Sequence, residues 1–286
     1  MRGTWQSDSL PQPPGVSVTS VGRMILRSAV LVPLLVFCLA LMGILRLLER
    51  PFFGEKRPLT PYITVFFCRS ALRVMGIGFR VTGRTRTSRQ LAVVANHSSW
   101  LDILALNGAQ RIYFVSKSEV ASWPGIGLLA RVTGTVFIRR QARDTRSQLQ
   151  VFEQRLGAGH RLLFFPEGTS TDGMRVLPFN STLFASFFTD KLRENLSLVP
   201  VTVAYTVPPG ADPRFYGWWG EMDLAPHLLT VLGCRRQGRV DVIYHAPVRV
   251  ADFDDRKALA KHCENEIRAG LPAGFSGMQP SGPATQ

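Results

Sequence analysis

The chain is short of cysteine, lysine and acid. Its four cysteines, Cys38, Cys68, Cys234 and Cys263, lie far apart with no C-x-x-C pair. That spacing offers no clustered zinc ligands, so no metal site is expected. Two of the cysteines sit in strongly apolar runs, which predicts buried, reduced thiols and chemistry facing a reducing compartment. Only five of the 34 basic residues are lysines (56, 117, 191, 257 and 261), and with 20 acids the net charge is +14. Such an excess favours a polyanion, either nucleic acid or an anionic membrane surface, and arginine forks suit both. Genomic base composition would produce the same bias, so charge alone does not decide. No nucleic-acid fold signature, no G-x-S-x-G elbow and no internal repeat is present.

What is present is apolar material. Hydrophobic residues make up 45% of the 286, with 18 Phe, enough for one sizeable α/β domain and an added segment. Residues 1–22, rich in Pro, Ser, Gln and Gly, read as a disordered tail, and 273–286 as a second one. Residues 23–78 read as a membrane-associated helical segment. Its uncharged run from Ser28 to Leu45 just reaches the roughly 18 apolar residues of a spanning helix. A signal peptide fits less well, because a polar tail precedes the run and Arg46, Glu49 and Arg50 follow it. Basic residues flank both ends, so the positive-inside rule gives no orientation. Tyr62–Met75 carries Arg69 and Arg73, and fits an interfacial helix or the return arm of a re-entrant hairpin.

Residues 79–272 alternate short β-rich runs with helical ones. Strands are predicted at Phe79–Thr82, Leu91–Ala95, Ile112–Ser116, Thr135–Arg139, Arg161–Phe165, Leu198–Tyr205 and Val240–His245. An amphipathic helix is predicted over Arg143–Leu156. Another starts at Asp254 or Asp255 and stripes Leu259, Cys263 and Ile267 on one face. The expected fold is α/β: a mixed sheet with flanking helices, preceded by an N-terminal membrane helix or hairpin.

Three spots carry chemistry. In LAVVANHSSWLD an apolar strand runs into Asn96-His97, and Asp102 follows five positions later. A strand-to-helix turn brings such a pair together, giving an imidazole base oriented by a carboxylate. Ser98 and Ser99 admit a hydrolase nucleophile, or simply cap a helix near Trp100. In LLFFPEGT an apolar strand ends at Glu167-Gly168-Thr169, where sheet enzymes gather ligand groups. Lys117 follows one strand and Arg139-Arg140 end the next, a possible anion cluster or a solvated basic face. Tyr216, Trp218 and Trp219 either border a lipid channel or pack in the core. His160, His227, His245 and His262 read as structural.

The ordered blocks NHSSWLD, SKSE, GTVFIRR, FPEGTS and VPV (Val199–Val201) resemble the glycerolipid (lysophospholipid) acyltransferase family over roughly residues 60–270. The resemblance implies a catalytic His97 with Asp102 and an acceptor block at Glu167, Gly168 and Thr169. It matches Lys117 and Arg140 to the family's basic positions. It further implies acyl-carrier protein or acyl-CoA as thioester co-substrate, no other cofactor, a lysolipid acceptor and a membrane setting. The cytoplasmic face of an inner membrane is expected, with no nucleic acid bound.

Members that use lysophosphatidic acid commonly place Arg after Glu-Gly-Thr, whereas this chain has Ser170, then Asp172. EGTSTDG resembles the bacterial branch that includes lyso-ornithine lipid acyltransferases, and Asp172 is expected to meet an ornithine ammonium. A non-catalytic basic membrane- or nucleic-acid-binding protein, or a lipid hydrolase, stands as the alternative.

Overall fold

The computed structural model describes residues 4–7, 9–11, 15–83, 90–138 and 145–273, with the backbone alone at 145–148. Helix α1 (Val18–Phe53) begins five residues earlier than residue 23, under a reciprocal capping box between Ser17 and Ser20. Helix α2 (Thr60–Met75) folds back on it, with Cys38 and Met42 of α1 packed against Ile63. The reversal is fastened by Glu49, a buried carboxylate near the end of α1. It accepts the backbone amides of Leu59 and Thr60 at 2.6 and 3.0 Å and the Thr60 hydroxyl at 2.9 Å. Those amides would otherwise be orphaned at the start of α2.

The hairpin is bound to the rest of the molecule at both ends. Near the start of α1, Arg27 donates to the carbonyls of Leu232 and Cys234, and Arg23 to that of Gly233. These lie at the C-terminus of a helix, where unpaired carbonyls and the dipole both favour a guanidinium. Beyond the reversal, Arg57 donates to the Val132 carbonyl. Ala71, Leu72 and Met75 of α2 enter the main core.

Among the described residues the sheet has eight strands: β1 (Gly78–Thr82), β2 (Gln90–Ala95), β3 (Tyr113–Lys117), β4 (Val136–Ile138), β5 (Leu162–Phe164), β6 (Leu196–Thr206), β7 (Arg239–Tyr244) and β8 (Val248–Arg249). Their order is β1-β7-β6-β2-β5-β3-β4, with β8 beside β6. β6, β2, β5, β3 and β4 run parallel, while β7 opposes β6. The sheet is therefore mixed, as expected; β1 to β7 each fall within two residues of a predicted span, while the two-residue β8 is too short to leave a periodic signal and has no counterpart among the predicted strands. Arg139 and Arg140 lie outside the described residues, as do Arg143 and Asp144.

Strand β2 is buried on both faces, as a central parallel strand must be. Leu91, Val93 and Ala95 pack with α2, α3 (Leu101–Ala109) and α7 (Leu224–Gly233). Ala92 and Val94 belong to the opposite layer with α5 (Thr145–Gly157) and α8 (Arg256–Ala269). α8 starts where Asp255 accepts the amides of Lys257 and Ala258, and its Leu259, Cys263 and Ile267 stripe is fully buried. Short helices α4 (Ile126–Thr133) and α6 (Asp190–Arg193) and a 3-10 turn at Ser181–Phe188 complete the layers.

Candidate active site

The carboxyl ends of β2, β5 and β3 share one edge of the sheet, and the three sequence blocks end there. Asn96 does not join the ligand-facing turn. Its side chain takes up the β6 ladder where the backbone leaves, donating to the Val203 carbonyl at 2.9 Å and accepting its amide at 2.8 Å. His97 then turns away from β6, and its ring stacks on Phe165 with centroids 4.0 Å apart.

Asp102, in the first turn of α3, lies 2.7 Å from His97, Oδ2 to Nδ1. The same oxygen accepts the amides of Ser98 and Ser99 at 2.7 and 3.0 Å, so the carboxylate caps its own helix backwards. Its second oxygen accepts the Tyr205 hydroxyl at 2.7 Å. Burial first, then the Asp102 charge, holds the Tyr205 phenol well above 10, so it is a proton donor at any working pH. Asp102 is fully buried while the His97 side chain keeps 20% of its surface exposed. The dyad is thus anchored from behind and open in front. Of the two serines, Ser99 accepts the Leu101 amide at 3.3 Å, a capping contact, while Ser98 is buried.

Glu167 does not project toward a ligand. It is 5% exposed and spans two backbone segments, accepting the His97 amide on one oxygen and the Leu177 amide on the other, both at 2.7 Å. Burial pushes its carboxyl up to about 8, against the pull of those two amides. The reason lies in the chain path. The segment after β5 must pass behind His97, and its carboxylate is the acceptor for an amide that left the ladder. Gly168 follows at φ 76°, a left-handed conformation that favours glycine.

Asp172 also departs from expectation. It is 2% exposed, accepts the Met174 amide at 3.1 Å and is paired with Arg175 at 3.0 Å, so it does not present a free carboxylate to an ammonium.

In front of His97 opens a cavity of about 770 Å³. Lys117, Gly168, Thr169 and Ser170 line it with His97, and Trp218 and Trp219 form part of its wall. Toward the β3–β4 side it becomes apolar, bounded by Val115, Ile138, Leu149, Phe152, Leu183 and Phe187. Tyr216 packs in the core instead. The aromatic loop meets the segment after Glu167-Gly168-Thr169 closely: a Cβ on Gly217 would sit 2.8 Å from the Asp172 carbonyl. Tyr205 and the N-terminal Trp5, described below, had no motif to mark them. Among the remaining histidines, His227 accepts from the Trp100 indole at 2.9 Å and contacts the Phe215 carbonyl, a buried structural bridge.

A carboxylate-anchored imidazole on the wall of a cavity that is otherwise lined largely by apolar side chains suits a substrate with one polar head and one hydrocarbon tail. Comparison with known proteins agrees. A family model described as Acyltransferase matches residues 78–204. The lyso-ornithine lipid O-acyltransferase of Rhodobacter capsulatus is 50% identical over 270 residues, 94% of this chain and 98% of that protein. The 1-acyl-sn-glycerol-3-phosphate acyltransferase of Neisseria meningitidis is 31% identical over 208 residues, 70% of this chain and 77% of its own. The crystal structure of the 1-acyl-sn-glycerophosphate (LPA) acyltransferase from Thermotoga maritima superposes with a TM-score of 0.62 at 21% identity, covering 88% of this chain and 95% of that one, a likeness of fold. With the family match lying over the strands that carry His97 and Glu167, and near-complete coverage of a relative at one-in-two identity, this chain is a member of the lysophospholipid acyltransferase family.

Proposed function

We propose that the enzyme transfers a fatty acyl group from a thioester, carried by acyl-carrier protein or CoA, to the hydroxyl of lyso-ornithine lipid. The observation that carries the chemistry is the His97 imidazole, tied through Nδ1 to a buried carboxylate and facing the cavity. In this reading Nε2 takes the acceptor's hydroxyl proton as that oxygen attacks the thioester carbonyl carbon. The tetrahedral intermediate collapses, the carbon–sulfur bond breaks, and the imidazolium returns the proton to the departing thiolate. Proton and electron pairs balance with no further reagent. Asp102 fixes the tautomer that leaves Nε2 unprotonated and stabilises the imidazolium.

The acceptor assignment rests on the 50% identity with the Rhodobacter capsulatus enzyme and on serine standing after Glu-Gly-Thr. Lys117 stays in place as a cationic wall residue, and Arg140 as its companion from the motif alone. The apolar end of the cavity would hold the transferred chain. The α1–α2 hairpin would seat the enzyme on the cytoplasmic face of the inner membrane. α1 is long and apolar enough to cross a bilayer, and only 11% of its most apolar window is buried in the protein.

The test is purified enzyme with an acyl thioester and a choice of lyso-ornithine lipid or lysophosphatidic acid. Preference for lyso-ornithine lipid, lost in His97→Ala, supports the proposal. Preference for lysophosphatidic acid overturns the acceptor, and persistence in His97→Ala overturns the mechanism.

A further inference from the structure

Arg175 shares a loop with Gly168, Thr169 and Ser170 of the cavity wall, yet its charge is spent inside the protein. Its Nη2 meets Asp172 Oδ2 at 3.0 Å, and its Nε donates to Oδ1 at 3.3 Å. The Asp172 side chain is 1% exposed, so this carboxylate cannot swing out to water. The flat face of the guanidinium is covered by the indole of Trp5, 5.2 Å from Cζ to ring centroid.

Trp5 belongs to the segment that composition marks as a loose tail. In the structure the segment lies against the site. The Trp5 amide donates to Thr169 Oγ1 at 3.4 Å, and its ring rests on Trp219 with centroids 5.8 Å apart. Arg214 donates to the Ser9 carbonyl at 2.8 Å and to its hydroxyl at 3.3 Å. Thr4 lines the cavity itself. The arm is therefore a wall of the acceptor site.

An uncovered guanidinium beside a head-group cavity would grip a phosphate through paired N–H bonds. Here one edge is held by a buried carboxylate and the face by an indole quadrupole, which attracts the cation in its own right. A dianionic head group drawn from the cavity toward Arg175 would find the guanidinium face covered by the indole and its edge paired with the Asp172 charge. A head group that carries an ammonium beside its carboxylate has no net charge to be repelled.

We propose that Trp5 and Asp172 together mask Arg175, and that Trp5 is thereby a specificity-determining residue that discriminates against phosphate-bearing acceptors. The inference rests on the lysolipid reading of the same cavity. It is tested by measuring kcat and KM of the full-length enzyme with lysophosphatidic acid and with lyso-ornithine lipid. Trp5→Ala should raise the ratio of the two kcat/KM values in favour of lysophosphatidic acid about fivefold, chiefly through a lower KM. Trp5→Phe keeps an aromatic face and should stay within about twofold of the parent. Adding Asp172→Asn and Arg175→Gln to Trp5→Ala removes both charges, and the ratio should return to the parent value. An unchanged ratio in Trp5→Ala overturns the masking, as does a gain that survives loss of Arg175. Should the parent enzyme ignore lyso-ornithine lipid, the acceptor assignment fails, while the KM for lysophosphatidic acid in Trp5→Ala still decides whether Arg175 is masked.

Discussion

Tyr205 donates its phenol to Oδ1 of Asp102 across 2.7 Å, while Oδ2 of the same carboxylate holds the His97 ring at an equal distance. The two residues come from β6 and α3, 103 positions apart. The phenol draws negative charge away from the oxygen that faces the imidazole. In Tyr205→Phe the carboxylate loses the donor that fixes its second oxygen, and its hold on the His97 ring loosens. The kcat should fall about three- to thirtyfold with acceptor KM unchanged. A rise in KM with kcat intact would reduce Tyr205 to a packing residue.

Asp102→Asn preserves the shape of the dyad, with the amide oxygen able to face His97, Ser98 and Ser99, but removes the negative charge behind the ring. Turnover should fall by about 10²–10⁴ with little change in acceptor KM, because the lost contact matters once the imidazole charges. Steady-state kinetics with the lysolipid acceptor varied at saturating thioester would show the split.

Glu167 links pH to stability. Its folded value of about 8 lies above the ordinary 4.5, so the fold holds this proton more tightly than the unfolded chain does. The corresponding stabilisation is complete below about pH 4.5 and is lost as pH rises through about 8. Thermal unfolding in detergent should therefore show Tm declining across this window. Glu167→Gln should flatten the decline, and should lower stability by about 1–3 kcal/mol, since only one of its two polar atoms can accept an amide.

Leu183 borders the apolar end of the cavity. Leu183→Trp fills space that a hydrocarbon tail would occupy. Each methylene kept out of the protein forfeits about 0.8 kcal/mol, near fourfold in selectivity. The preferred acyl chain should shorten by roughly two to four carbons in a competition among thioesters of graded length.

The fold and the dyad were readable because their signals are local. Apolar runs bounded by polar turns mark β2 and β5, and five residues bridge one strand-to-helix turn, so His97 and Asp102 are close whatever the rest of the sheet does. Glu167 was located correctly and its orientation was not. Its partner amides belong to His97 and to Leu177, and the first is within reach only because β5 pairs with β2. Tyr205 follows the same rule, since it reaches Asp102 only because β6 flanks β2 on the other side. Asp172 was misread for a third reason: its partner sits three residues away in a turn, where an ion pair and a ligand carboxylate look alike in sequence. Composition misjudged the arm around Trp5, because two indole contacts hold a Pro- and Ser-rich segment that has no periodicity of its own.

Arg23 and Arg27 at one end of the hairpin, and Arg57 with the α2 stripe at the other, are all moored to the same catalytic body. The polypeptide is therefore tied to that body at the start of the hairpin and again at its reversal, so any part of α1 that meets lipid brings the whole domain with it to the bilayer surface.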